Sequence, residues 1–361
     1  MADTRVLPVS NVKYGLKAET AFGVAIDSSG ADGTAYLTQP VVQAQKPTFN
    51  ILRESRLLSG RGSVKNAADT VVNTRGGTVT MPFEMIATPR TLAQHALLVG
   101  QENGQSGSIV HEMEIDGSSN ATSIGEAIGG DGLPHSCNLA YYTAANEGIK
   151  VAGVVCSDLT ITGDVSANNG LVSISGNYWS GFSAPVSTST ALETDFTIAN
   201  WAAAENTYFN VLDCDTRTLD ADDRTELTFI MKAFTFNISN GVNRVGFDTN
   251  GNAEAYAFPE YVVTGSLTIK YDNQFNYLAT NNVIQDFLDG DTLSLNIICG
   301  DSAPNAEGEM EINAEIQYTG DPGQDLSESG VFHTLEFECV KNGSTNAFDI
   351  STFKNEAVTA W

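Results

Sequence analysis

Thr48-Phe49-Asn50-Ile51 returns 187 positions later as Thr235-Phe236-Asn237-Ile238. A glycine-led segment follows each copy, Gly77-Thr78-Val79-Thr80-Met81 and Gly265-Ser266-Leu267-Thr268-Ile269, at an offset of 188. Each is followed by a helical stretch ending in glycine, Leu98-Val99-Gly100 and Leu288-Asp289-Gly290, at an offset of 190. Order and spacing persist together, so the chain reads as one β-rich unit present twice.

Period-2 alternation dominates around these anchors. Phe49 and Ile51 alternate with Thr48 and Asn50, and Val79, Met81 and Phe83 with Thr78, Thr80 and Pro82. The habit recurs at Leu159/Ile161, Val172/Ile174, Phe234/Phe236/Ile238, Leu267/Ile269/Tyr271, Ile312/Ala314/Ile316/Tyr318 and Leu335/Phe337/Cys339. One apolar and one Thr/Ser/Asn/Glu face mark half-buried antiparallel strands. Asn168-Asn169-Gly170, Asn240-Gly241, Asn250-Gly251 and Asn342-Gly343 offer the positive φ of tight turns.

Two helices are expected. Thr88-Pro89 is a cap with proline at the first helical position, Leu92, Ala96 and Val99 form a face, and Gly100 suits a left-handed C-terminus. Val283, Ile284, Phe287 and Leu288 form a similar stripe closed by Gly290. The expected fold is mainly β, with two tandem sandwich or barrel domains carrying one short helix each. The first covers 1–185, with 101–150 an excursion unmatched later; 186–205 is a linker; 206–361 is the second. Thr162-Gly163-Asp164 matches Thr319-Gly320-Asp321 at an offset of 157, which preserves strand order. Glu112-Met113-Glu114-Ile115 also equals Glu309-Met310-Glu311-Ile312, at a competing offset of 197.

With 361 residues, 42% apolar and 17% charged, the chain can close sizeable cores and is not of disordered composition. Its 44 acidic against 18 basic residues give a net charge of -26, which repels nucleic acid instead of gripping it. Such a surface suits solubility, a salty habitat, or a place beside DNA that must not hold it. Met1 to Val6 begins no apolar leader, and no window approaches a membrane span. The five cysteines lack a CxxC and are expected to stay reduced in the core.

Catalytic marks are missing. Four histidines show no HExxH, and no GxSxG, P-loop or GxGxxG precedes a helix. The acidic stretch Asp213 to Asp223 lacks the glycine and the final glutamate of a calcium loop. Carboxylate pairs such as Glu112/Glu114 and Glu311/Glu315 are expected by chance in so acidic a chain. No enzyme activity, metal or cofactor is expected. Two features remain. Arg53, Arg56, Arg61, Lys65 and Arg75 make a basic segment between the first two repeat strands, able to dock on an acidic face of another copy. Glu311, Glu315, Glu336 and Glu338 mark an acidic strand face, either solvent-facing or lining a channel.

Tyr14-Gly15-Leu16-Lys17-Ala18-Glu19-Thr20-Ala21-Phe22-Gly23 resembles the N-terminal arm of long tail tube proteins of siphovirus-like phages. So do Ser157 to Asp164 with Leu171 to Gly176, and Lys232 to Asn240 with Val263 to Tyr271, before a final Trp361. The resemblance implies a β-sandwich or barrel whose inner strands close a ring. Stacked rings then form a DNA-conducting tube with an electronegative lumen. Duplicated units imply a trimer with pseudo-sixfold symmetry, or a hexamer if one unit is ornamental. Tyr14, Gly15, Glu19 and Phe22 in the arm, with the 53–75 segment, would then make inter-subunit contacts. Tape-measure and tail-terminator proteins would be partners, no membrane would be involved, and the protein would sit in the virion tail after assembly in the host cytoplasm. The alternative is a β-sandwich adhesin or carbohydrate-binding appendage, with Tyr178, Trp179 and Trp201 as a stacking surface.

Overall fold

A computed structural model describes residues 12–19, 22–23, 36–42, 47–55, 70–102, 109–115, 136–143, 147–182, 196–197, 208–220, 226–229, 231–249, 251–270, 283–300, 309–320, 323–327, 330–341 and 347–353. The first half supplies β1 (Lys13–Ala18), β2 (Tyr36–Thr38), β3 (Thr48–Ser55), β4 (Thr70–Ile86), α1 (Pro89–Val99), β5 (Gln101–Glu102) and β6 (Ile109–Ile115). It continues with β7 (Cys137–Thr143), β8 (Glu147–Asp164), β9 (Ser173–Ser180) and β10 (Phe196–Thr197). The second half adds β11 (Cys214–Asp220), β12 (Glu226–Phe229), β13 (Met231–Ser239), β14 (Asn243–Val245), β15 (Ala255–Ala257) and β16 (Val262–Lys270). Then come α2 (Val283–Asp289), β17 (Leu293–Cys299), β18 (Met310–Tyr318), β19 (Gly323–Ser327), β20 (Gly330–Cys339) and β21 (Phe348–Phe353).

The protein is mainly β, and its ladders show why the tetrapeptide recurs. One sheet runs β3–β4–β9–β8–β13–β16–β20–β18, every neighbour antiparallel. Its first four strands come from the first half and its last four from the second, in matching order. The repeated strands β3 and β13 open the two sets, and β8 and β18 close them. β8 and β18 also extend beyond this sheet. The early part of β8 carries β7, then β1 and β2, with β10 parallel to β2. The early part of β18 carries β17, then β11 and β12, and on its other side β21, β6 and β5. β7 therefore stands beside β8 as β17 stands beside β18. Within 101–150 the segment without a counterpart narrows to the part containing β5 and β6, because β7 fills a repeated place.

The copies are not superimposed residue for residue. Phe236 lies opposite Gly265, whereas Phe49 lies opposite Val79, two positions past Gly77. The Glu112 to Ile115 strand does not take the place of β18. Both flank β21, with Glu112 and Glu311 opposite Ser351 from its two sides. Alternating residues Leu159, Ile161, Val172, Ile174, Phe234, Phe236, Ile238, Leu267, Ile269, Leu335 and Phe337 are buried in a hydrophobic core that runs from Tyr14 to Ile350 through both halves. The 186–195 and 198–205 parts of the expected linker lie outside the described residues.

Two local expectations are corrected. Gly100 ends α1 in extended backbone, φ −117°, instead of a left-handed turn, while Gly290 after α2 does take φ +72°. Cys214 and Cys299 are disulfide-bonded, because β11 and β17 place them directly opposite one another; Cys137, Cys156 and Cys339 are thiols.

Candidate assembly surface

The junction of the two halves lies between β8 and β13. Thr162 faces Thr235 and Ile161 faces Phe236 across it. Thr160 Oγ1 donates to Asn237 Oδ1 at 3.0 Å. Gly163 leaves room for the Phe234 ring, which a Cβ would approach to 2.5 Å. At the end of β13 the buried Asn240 side chain donates to Val99 O at 3.1 Å and to Cys156 O at 2.7 Å. It satisfies one of the carbonyls that a helix C-terminus leaves without an intrahelical partner.

Strand alternation turns the apolar residues of this sheet to the core and leaves a polar opposite face. One belt crosses it through Glu84, Ser175, Thr160, Asn237, Thr264, Glu338 and Gln317, each opposite the next. A second passes through Ser173, Thr162, Thr235, Ser266 and Glu336. Neither belt contains Lys or Arg, and Glu84, Glu336 and Glu338 are exposed. These two belts therefore offer phosphate no cation and repel it, while Lys270 stands exposed on the same face at the end of β16.

The four expected acidic residues divide into two pairs. Glu336 and Glu338 stand on that face. Glu315 is buried and accepts from Ser294 Oγ at 2.6 Å, and Glu311 accepts from Asn296 Nδ2 at 2.9 Å. Glu311 belongs to a cross-strand network of β17, β18 and β21 that continues from Asn296 through Asn313 to Asp349. Of the basic segment, Arg53 lies on β3 opposite Val72 and Arg75 lies on β4, while Arg56, Arg61 and Lys65 fall outside the described residues.

The arm residues are engaged within their own chain. Tyr14 and Gly15 are buried on β1, and the Tyr14 ring lies 5.3 Å from that of Tyr141. Phe22 packs edge-on to Phe182 and Tyr256. Glu19 is 7% exposed and collects four donors. They are Gly23 N at 2.8 Å, Ser136 Oγ at 2.6 Å, Asn138 Nδ2 at 3.2 Å and Gly153 N at 2.6 Å. Burial nevertheless pushes its carboxyl up to about 7, against the pull of these hydrogen bonds. Sequence reasoning placed Glu19 at a contact between copies and missed this hub, since three of its four partners lie more than 100 positions away.

His95 and Tyr178 form a buried pair, His95 Nδ1–H donating to Thr91 O at 2.7 Å and Tyr178 OH bonding Nε2. Desolvation holds His95 down to about 4. Tyr178 also stacks on Phe83, with ring centroids 4.4 Å apart, while Trp179 packs against Tyr256. Adjacent strand residues point to opposite faces, so Tyr178 and Trp179 do not share a sugar platform; Trp201 is outside the described residues. A cavity lined by Val79, Met81, Leu139, Val151 and Tyr178 holds about 10 Å³, space for no more than a water. Among the described residues no three His, Cys, Asp or Glu side chains converge as a metal site, and no helix is long and apolar enough to cross a membrane.

Comparison with protein-family models finds no match, and comparison with curated proteins finds none either.

Proposed function

We propose that this chain is a structural subunit of a phage tail tube. Copies join edge to edge into rings, rings stack, and DNA passes through the lumen without specific binding. The observation that carries this reading is the β8–β13 junction. Within one chain, the closing strand of one four-strand set is already paired with the opening strand of the next. A sheet built of such sets has two outer edges, and joining them between copies removes both. Two sets per chain favour three chains per ring, with pseudo-sixfold symmetry.

Charge supports the same reading. The polar belts carry exposed carboxylates and no cations, and the chain as a whole has a net charge of -26. DNA slides past such a wall, since binding to phosphate depends on Lys and Arg. A tape-measure protein inside the tube and a terminator at its end are the partners this role requires, and the virion tail is its place. The basic segment around Arg53 and Arg75 would dock on an acidic face of another copy.

Electron microscopy of the purified protein over a range of salt concentrations tests the proposal. Rings and stacked tubes are expected. Persistent monomers at high concentration in every salt would sink it, and rings of six chains would sink the trimer.

A further inference from the structure

We infer that β3 of one copy pairs antiparallel with the open side of β18 in a second copy, with Thr48 opposite Thr319. This deepens the tube reading and rests on it for the closure of the ring.

The open side is defined by its neighbours. Thr319 N–H donates to Glu336 O on the β20 side at 2.9 Å. Antiparallel ladders alternate direction along a strand, so the backbone groups of Tyr318 and Gly320 point the other way. On that side β17 reaches only to Ile316, which lies opposite Leu293. β8 is built alike: β7 covers its early part as far as Val154, and β13 occupies the rest from Asp158. Among the described residues, no strand occupies the corresponding stretch of β18, and none lies against the side of β3 away from β4.

Sequence identity falls on these two edges. Thr235 to Ile238 on β13 repeats as Thr48 to Ile51 on β3, and Thr162-Gly163-Asp164 ending β8 repeats as Thr319-Gly320-Asp321 after β18. The in-chain junction sets Thr235 against Thr162. Transferring both identities sets Thr48 against Thr319, Phe49 against Tyr318 and Asn50 against Gln317, and the ladder stops there because Leu293 of β17 already lies opposite Ile316. Glycine packing agrees. Gly163 lies beneath Phe234 of the joining strand, whereas a Cβ on Gly320 would meet only a Glu336 carboxylate oxygen at 3.9 Å. The same short sequences are kept because one junction is made twice, once inside the chain and once between chains. The two edges differ, so the contact is heterologous and either closes a ring or runs on as a filament.

Cysteine pairs test the register. In the in-chain junction, Asn240 N–H donates to Ser157 O and Val165 N–H to Lys232 O, so Thr162 and Thr235 form a pair without mutual hydrogen bonds. Such pairs have Cα atoms about 4.5 Å apart, within disulfide reach. Thr48 and Thr319 are both exposed, so cysteine at either leaves the fold intact. In a Cys339→Ser background, Thr48→Cys and Thr319→Cys chains are prepared separately, mixed and mildly oxidised. The expected product is a dimer with one chain of each kind, absent when either variant is oxidised alone. The doubly substituted chain should link onward to a covalent trimer. Thr162→Cys/Thr235→Cys serves as control and should close within the monomer. Rings or tubes in which 48 and 319 stay reduced while the control oxidises would overturn the pairing and leave the tube reading standing. Thr48→Cys chains linking to each other would overturn it too. Linked chains that never close into rings or tubes would uphold the pairing and sink the tube reading.

Discussion

Glu19 and His95 set opposite slopes on the stability of the fold. Burial raises the Glu19 carboxyl from 4.5 to about 7. Between those values the folded state binds the extra proton, so stability from this site is present below pH 4.5 and is lost as pH rises to 7, by about 3 kcal/mol in all. His95 is lowered from 6.5 to about 4, so the unfolded state binds the extra proton there and stability is lost as pH falls through that range. The two contributions offset each other between pH 4.5 and 6.5. Replacing Glu19 by Gln removes one of them; the Ser136 hydroxyl can turn to accept from the amide, but the Gly23 N–H loses its acceptor, so the variant is less stable at every pH and its slope is what reports the titration. Unfolding midpoints of Glu19→Gln should then fall as pH drops from 6.5 to 4, while the parent protein stays nearly level. An unchanged slope in the variant would refute the assignment. Asn240 admits a second residue-scale test. Asn240→Ala strands the buried carbonyls of Val99 and Cys156, and should cost about 2–4 kcal/mol in a urea titration. Asn240→Asp should be no better, because its carboxylate would face two carbonyl oxygens. A loss under 1 kcal/mol in both would show that water replaces the side chain.

At the scale of elements, β11 and β17 are tied by the Cys214–Cys299 disulfide. Without reductant, alkylation of the unfolded chain should label the three thiols at Cys137, Cys156 and Cys339; with reductant it should label all five. Five labels without reductant would contradict the bond. Replacing both partners by Ala should lower stability by up to about 4 kcal/mol, the entropy of a loop this long. The bond also shows what was hidden in the sequence. Alternation revealed most of the inner strands, because burial on one face imposes a period of two wherever a side chain must point inward. The Thr88-Pro89 start of α1 was legible for a similarly local reason, and Thr88 and Thr91 complete a capping box. The pairings were not local. Nothing in Cys214 to Asp220 resembles Lys13 to Ala18, yet β11 stands beside β17 as β1 stands beside β7. Gly100 escapes the expected left-handed turn because its N–H reaches Ala96 O and the chain passes directly into β5, while Asn240, 141 positions away, takes the Val99 carbonyl. Glu336 and Glu338 share a face with Glu84, which pairing order alone brings there, and Glu311 and Glu315 alternate in phase with Gln317 on β18 but are tied up by Asn296 and Ser294.

On the scale of the whole molecule, the two halves are joined by strand pairing and by a common core. β8 and β13 share a ladder across the midpoint, and the hydrophobic core passes through both halves. α1, from the first half, packs on β8 and is also in contact with β21 from the second and with β6. β6 itself pairs with β21, so the first half contributes a strand to the sheet around β18. Cutting the chain would expose Phe234, Phe236 and Ile238 on one side and the edge of β8 on the other, and would leave the carbonyl of Val99 without Asn240. Parts that each depend on the other for strand pairing and burial lose their structure together. Calorimetry and urea titration of the full chain should therefore give a single transition, with the same midpoint from near-ultraviolet dichroism of the aromatic core and from far-ultraviolet dichroism of the strands. Residues 1–185 and 206–361, prepared as separate chains, should lack a cooperative transition alone and regain one when mixed. Two transitions in the full chain, each matching one isolated half, would mean that the β8–β13 ladder contributes little and that the halves are domains in their own right. One transition instead makes the junction part of the folding unit. The same pairing between copies, at β3 and β18, would then add stability in proportion to ring formation, so the unfolding midpoint should rise with protein concentration.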